Sequence, residues 1–103
     1  KKMRSWDALE DFDDESVDIA FIDGDHRYRA VLTDIEDYWP KLRPGGVMLG
    51  DDYEFDRYGV KEAVDEFTKA NDLTLHFLDN GKHLVWYFTK PRAQAVTNST
   101  LAG

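Results

Sequence analysis

The pattern that most constrains this chain is a change in the spacing of its apolar residues. Residues 17–22 form a nearly continuous apolar run, which is typical of a strand buried on both faces of a parallel sheet. The segment after it has the spacing of one helix face, made of Tyr28, Val31, Leu32, Ile35, Tyr38 and Trp39. Pro-Gly-Gly at 44–46 predicts a tight turn, and residues 47–50 predict a second strand. Together these segments predict a right-handed βαβ unit.

Acidic residues follow both predicted strands. Asp23, Asp25 and His26 come directly after the first strand, and Asp51 and Asp52 come after the second. Because parallel strands of a βαβ unit end at the same edge of the sheet, we expect these side chains to lie close together. That edge is where open α/β sheets bind their ligands. The sequence therefore predicts a functional site there.

The rest of the chain predicts one small α/β domain. A second helix carries one apolar face, made of Val60, Ala63, Val64 and Phe67. Residues 73–78 and 84–88 flank Asn80-Gly81, a turn signal that predicts an antiparallel hairpin. We assign residues 1–90 to a partial domain and residues 91–103, which have no sustained period, to a flexible tail.

Composition excludes several classes of protein. With 103 residues the chain forms at most one small domain, and a net charge of −8 opposes binding to a nucleic acid backbone. The absence of cysteine excludes a disulfide framework and a thiolate metal site. No apolar stretch is long enough for a membrane helix and no signal-peptide pattern is present, so we expect a cytoplasmic protein.

Three stretches carry a family resemblance. They are Ser-Val-Asp-Ile-Ala-Phe-Ile-Asp-Gly-Asp-His at 16–26, Asp-Ile-Glu-Asp-Tyr-Trp-Pro-Lys-Leu-Arg-Pro-Gly-Gly-Val-Met-Leu-Gly-Asp-Asp-Tyr at 34–53, and Gly-Val-Lys-Glu-Ala-Val-Asp-Glu-Phe at 59–67. In combination they resemble the C-terminal half of a class I S-adenosylmethionine-dependent methyltransferase, in its bacterial O-methyltransferase-like branch. The resemblance implies methylation of a hydroxyl group on a small molecule.

The resemblance also implies a fold. That family has a Rossmann-like sheet with strand order 3-2-1-4-5-7-6, in which strand 7 is antiparallel. Residues 17–22 then correspond to strand 4, residues 47–50 to strand 5, and the predicted hairpin to strands 6 and 7, with flanking helices. No Gly-x-Gly motif precedes Asp23, so the glycine-rich loop that holds the cofactor has no counterpart in this chain. We therefore expect an exposed edge on strand 4, covered by an N-terminal half or by a second copy in a homo-oligomer.

The resemblance assigns a metal site to three carboxylates. Asp23, Asp51 and Asp52 occupy the positions that surround a divalent cation such as Mg²⁺ in related enzymes. Such an ion takes oxygen ligands and would lower the pKa of a bound substrate hydroxyl. The alternative is that Asp23 and Asp52 accept hydrogen bonds from backbone amides and stabilise the loops.

The resemblance also assigns residues to catalysis and to S-adenosylmethionine. His26 lies where related enzymes carry a general base, although it could instead pack beside Tyr28 or bond to Asp52. Asp25, Ser5 and Trp6 correspond to cofactor-binding positions, with core packing as the alternative for Trp6. An aromatic set after the second acidic end could stack on a substrate or cover the sheet end: Tyr53, Phe55 and Tyr58.

Two other functions fit the same sequence. A haloacid-dehalogenase-like phosphatase uses an Asp-x-Asp motif and a later Gly-Asp-Asp, as in Asp23-Gly24-Asp25 and Gly50-Asp51-Asp52. Arg27 stands where that family has Thr or Val, and the two motifs are too close for its intervening strands. The other alternative is a catalytically inactive half-domain that oligomerises.

Overall fold

Five strands and two helices make up the part of the chain that the structure describes. The computed structural model covers residues 2–4, 9–23, 27–53, 59–79, 81–82 and 84–92. The strands in this part are β1 (Lys2–Arg4), β2 (Val17–Ile22), β3 (Leu42–Gly50), β4 (His76–Asp79) and β5 (Leu84–Thr89). The helices are α1 (Tyr28–Tyr38) and α2 (Val60–Ala70), and short 3-10 turns span Leu9–Asp11 and Trp39–Lys41.

The strands form one mixed sheet with the order β1-β2-β3-β5-β4. β2 and β3 run parallel, with α1 as their connection, whereas β5 is antiparallel to both β3 and β4. This order confirms the predicted α/β fold, in which two parallel strands are followed by an antiparallel hairpin beside them, although the first hairpin strand spans His76–Asp79 and not the predicted 73–78. The predicted hairpin residue Asn80 lies outside the described residues, but Gly81 has a φ of 90° and donates to Asp79 Oδ1 at 2.9 Å.

The predicted tight turn at 44–46 is instead a bulge within β3. Val17 pairs with Leu42 and Ile19 pairs with Val47, so five residue steps on β3 oppose two on β2. The bulge is held from the other side, because Gly45 donates its amide to the Lys90 carbonyl and the Lys90 amide donates to Gly46. Gly45 has a φ of 87°, a conformation that glycine adopts without steric cost. The strand therefore begins earlier than its apolar run.

The edge of β2 is not bare, contrary to the prediction. β1 lies parallel along it, with Lys2 opposite Ile19 and Arg4 opposite Phe21. Met3, between them, is fully buried. Pairing with these three residues satisfies backbone N–H and C=O groups of β2 that would be unpaired if β2 were an edge strand. Within the described residues, β1 is thus an outer strand of the sheet.

Both helices pack on the same face of the sheet, which we call the covered face. Its strand residues are buried: Met3, Ala20, Ile22, Met48, Trp86 and Phe88. The predicted stripe of α2 is entirely buried, and the Phe67 ring stacks on Phe88 at 5.7 Å between centroids. Val31 and Ile35 of α1 are buried as well, which confirms the apolar faces predicted for both helices.

The opposite face of the sheet, which we call the open face, carries an apolar set of residues as well. The strand register places Ile19, Phe21, Leu49, Leu78, Val85 and Tyr87 on it, together with the polar Lys2, Arg4, His76 and Thr89. Neither α1 nor α2 packs on it, and Ile19 is 38% and Leu78 59% exposed. A groove of about 290 Å³ lies at its β1 end, lined by Lys2, Met3, Arg4, Ile19, Phe21 and Leu49.

Candidate functional site

The two acidic strand ends meet at the carboxyl edge of the parallel strands. Ile22 and Gly50 form the last residue pair between β2 and β3, so Asp23 and Asp51 leave the sheet side by side. Neighbouring strands are about 5 Å apart, and this spacing brings the two backbones together at that edge. Asp23 is exposed, whereas Asp51 and Asp52 are half-buried. Two neighbouring strands therefore each end in an acidic residue at this edge.

The acidic turn after β3, which comprises Asp51 and Asp52, begins on a tightly packed glycine. A Cβ atom on Gly50 would lie 2.5 Å from Cζ2 of Trp86 and 2.9 Å from the Ile22 carbonyl oxygen. The Trp86 side chain is buried, and its Nε1 has no hydrogen-bond acceptor among the described residues. Asp52 has a φ of 66°, a left-handed conformation that Asp tolerates better than most residues. The start of this turn is fixed by packing.

Tyr53 fixes the end of the same turn. Its hydroxyl donates to Asp65 Oδ1 of α2 at 2.5 Å, and Lys61 Nζ donates to Asp65 Oδ2 at 2.8 Å. The Lys61 ammonium lies 5.3 Å from the centre of the Tyr53 ring, which also makes an edge contact with Phe77 at 4.7 Å. Partial burial and then the bond to Asp65 raise the pKa of Tyr53, so the phenol remains a donor.

The starts of the two helices are in direct contact. Gly59, at the start of α2, has a φ of 75°, and a Cβ atom there would lie 2.5 Å from the Tyr28 backbone nitrogen. The Tyr28 hydroxyl donates to Glu66 of α2, and this bond raises the pKa of Tyr28. The loops that follow β2 and β3 therefore lead into helices whose first turns touch.

Comparison with known sequences identifies the family. A family model for a methyltransferase domain matches residues 1–53, which include both acidic strand ends. This chain belongs to the methyltransferase-domain family. An uncharacterised protein, y4gI of Sinorhizobium fredii (strain NBRC 101917 / NGR234), is 43% identical over 53 residues, which are 52% of this chain and 6% of that protein.

Solved structures show the same fold. The O-methyltransferase NovP matches with a TM-score of 0.62 and 24% identity over 76% of this chain and 31% of NovP. An O-methyltransferase from Bacillus cereus in complex with SAH matches with a TM-score of 0.51 and 18% identity, over 80% of this chain and 44% of that protein. The chain spans less than half the length of each of these relatives. The predicted resemblance to a class I S-adenosylmethionine-dependent methyltransferase is confirmed.

The structure places only part of the predicted site of this methyltransferase domain. Asp23, Asp51 and Asp52 share the carboxyl edge of the sheet. The predicted base His26 and the predicted cofactor residues Asp25, Ser5 and Trp6 lie outside the described residues. Phe55 and Tyr58 also lie outside them. Their roles stay predictions.

The described residues do not form a metal site. Among them, no group of three or more His, Cys, Asp or Glu side chains is arranged to hold a metal ion. Asp23, Asp51 and Asp52 share an edge, but their donor atoms are not gathered around one point. The predicted divalent cation is therefore not supported by the geometry of this edge.

Sequence reasoning missed the contact between Tyr53 and α2. Asp65 and Lys61 are four residues apart on one helix, a spacing that predicts an ion pair between them. Nothing in the sequence indicates that a tyrosine twelve residues before Asp65 completes this pair. Only the packing of the acidic turn against α2 reveals it.

Proposed function

We propose that this methyltransferase domain transfers a methyl group from S-adenosylmethionine to a hydroxyl group of a small molecule. The observation that carries the proposal is the family match, which ends at Tyr53 and so contains both acidic strand ends. Two proteins with the same fold, NovP and the Bacillus cereus enzyme, are O-methyltransferases, and the second was solved with SAH. The carboxyl edge of β2 and β3 would be the acceptor side of the site.

The residues of the chain suit such an acceptor. Carboxylates accept hydrogen bonds from hydroxyl groups, and the half-buried Asp51 and Asp52 are held at this edge. Bound S-adenosylmethionine supplies a methyl carbon on a positively charged sulfur. When the acceptor oxygen takes the methyl group and the thioether leaves, His26 would accept the proton of the acceptor hydroxyl. Asp25, Ser5 and Trp6 would contact the methyl donor.

No step of this reaction is assigned to a metal ion, because the described carboxylates do not form a preformed cation site. If the intact enzyme binds a divalent cation, Asp23, Asp51 and Asp52 are the residues that would hold it. An assay with and without EDTA tests this point directly. Equal rates of methyl transfer in both conditions would show that the reaction needs no metal ion.

Transfer of label from S-adenosylmethionine to a panel of hydroxylated acceptors tests the proposed function. We expect His26→Ala to lower the rate by about 100-fold, the usual contribution of a general base. Asp51→Asn should weaken acceptor binding. Asp72→Asn is the matched control, because Asp72 is an exposed aspartate with a φ of 55° at the end of α2. Loss of activity in the control as well would contradict the assigned roles.

A second candidate function is that of an inactive half-domain that oligomerises, and the open face favours it. This face exposes apolar side chains on several neighbouring strands, with Leu78 at 59% exposure. The occupant would be a second copy or an N-terminal half of the domain. We expect sedimentation velocity to show concentration-dependent association that Leu78→Lys weakens. If the chain is strictly monomeric and binds no S-adenosylmethionine, both the methyltransferase and the oligomerising half-domain proposals are contradicted.

The haloacid-dehalogenase-like alternative has no support from the family match. A phosphatase assay with Mg²⁺ and p-nitrophenyl phosphate should therefore show no turnover. In the described ranges, neither helix has the length and apolar content that crossing a bilayer requires. A cytoplasmic location stays a prediction.

A further inference from the structure

The acidic turn is a very short bridge between two fixed points. On one side Gly50 is the last residue of β3, and its backbone lies against the buried Trp86 ring. On the other side Tyr53 is bonded to α2 through Asp65. Only Asp51 and Asp52 lie between these points. Since each residue spans at most about 3.6 Å, this segment has little chain length in which to move while both ends are held.

The two ends are fixed by different forces. Gly50 is held by the sheet ladder and by close packing, which would persist in any folded variant. The Tyr53 ring packs against the core, the Lys61 ammonium lies over it and Phe77 meets it edge-on, while the hydroxyl donates to Asp65. At this end, removal of a single hydroxyl group breaks the polar bond to α2 and leaves the ring in place. Asp52, the residue next to Tyr53, has a left-handed conformation.

The charge arrangement explains why Asp65 can serve as the anchor. An additional carboxylate beside an acidic turn would repel it in a chain whose net charge is −8. Lys61 offsets that charge, because its ammonium pairs with Asp65 at 2.8 Å and also lies over the Tyr53 ring. The three side chains therefore form one unit, the Tyr53 anchor, made of Tyr53, Asp65 and Lys61.

We propose that Tyr53 is a positioning residue of the methyl-transfer site, which through its hydroxyl bond to Asp65 holds Asp51 and Asp52 in the orientation that receives the acceptor. This inference rests on the proposed function. Tyr53 itself does not need to touch the substrate. Its effect is transmitted through the backbone of two residues.

The chain offers a matched control for this proposal. Tyr28 also donates its hydroxyl to a carboxylate of α2, and that carboxylate is Glu66, the neighbour of Asp65. The two tyrosines therefore make the same type of bond to adjacent residues of one helix. Tyr28, however, lies at the start of α1: only its backbone and Cβ approach Gly59, and its hydroxyl bond is not part of the acidic turn. Tyr53→Phe and Tyr28→Phe remove the same group at sites that differ in this respect.

Backbone dynamics and kinetics test the proposal on the full chain. Nitrogen-15 relaxation should show the order parameters of the Asp51 and Asp52 amides falling from about 0.85 to below about 0.6 in Tyr53→Phe. They should be unchanged in Tyr28→Phe. In the transfer assay, Tyr53→Phe should raise the acceptor KM by about tenfold, the effect expected for loss of one hydrogen bond to a charged group. The affinity for S-adenosylmethionine should stay constant.

A double-mutant cycle separates positioning from general stability. Because Asp65→Asn keeps an acceptor oxygen but removes the charge, it should have a smaller effect than Tyr53→Phe. Adding it to Tyr53→Phe should cause no further change in the Asp52 order parameter. Equal order parameters in wild type and Tyr53→Phe would overturn the proposal. If the wild-type chain transfers no methyl group, the proposed function fails, whereas the relaxation data still decide whether Tyr53 orders the turn.

Discussion

The two faces of the sheet have similar strand residues but very different surroundings. On the covered face, Met48, Trp86 and Phe88 are buried under α1 and α2. On the open face, Leu49 and Tyr87 on the same strands stay partly exposed. Strands that are apolar on both sides belong to sheets with a layer on each face. The covered face therefore accounts for the stability of this chain, and the open face indicates a surface that another layer can cover.

The largest effect that separates the two faces should come from truncation of Phe88. This side chain is fully buried and its ring contacts Phe67, Trp39 and Trp86. Phe88→Ala should lower the free energy of unfolding by about 3–5 kcal/mol, measured by chemical denaturation. Leu78→Ala on the open face is the control and should cost far less. Equal losses would mean that the open face is buried in solution.

A smaller effect should come from adding a methyl group to the covered face. Gly50→Ala would place a Cβ atom against the Trp86 ring and the Ile22 carbonyl oxygen. We expect a loss of about 3 kcal/mol, because neither neighbour can move easily. Gly81→Ala is the control, since a Cβ atom there meets nothing within 4 Å. Its φ of 90° alone should cost about 1 kcal/mol. A stable Gly50→Ala chain would show that Trp86 can shift.

The smallest effect should be a loss of stability at alkaline pH, from polar contacts at the rim of the covered face. The bond to Glu66 raises the pKa of Tyr28, and the bond to Asp65 raises the pKa of Lys61. Above about pH 10 the unfolded chain releases these protons while the folded chain keeps them, so stability falls as pH rises. Urea unfolding at several alkaline pH values should show a shallower decline for Tyr28→Phe. An unchanged slope would mean that this bond contributes nothing.

Much of the fold was predictable because local patterns agreed with it. The apolar run of β2 and the stripes of α1 and α2 are clear local patterns, so the types of these elements followed from the sequence. The bulge at Gly45 was not predictable, because Pro-Gly-Gly favours a turn and only pairing with Lys90 keeps it in the strand. Pairing of β1 with β2 depends likewise on contacts between distant segments.

The candidate site was predictable only in part. The shared edge of Asp23 and Asp51 follows from the parallel βαβ unit, and the structure places both residues there. The bond from Tyr53 to Asp65 joins a loop to a helix face, and no local spacing encodes it. Whether carboxylates gather around a cation depends on distances of a few ångströms, which sequence alone cannot give.

The close approach of Gly59 to Tyr28 has a mechanical consequence for the two acidic loops. The backbone of Tyr28 lies against Gly59, with no space between them for a side chain. A shift of one helix along the other would therefore displace the first turn of both. A ligand that displaces the loop after β2 would push on α1, and through Tyr28 on the start of α2. The two loops should therefore move together when a ligand binds, with Gly59 at the point of contact between the helices.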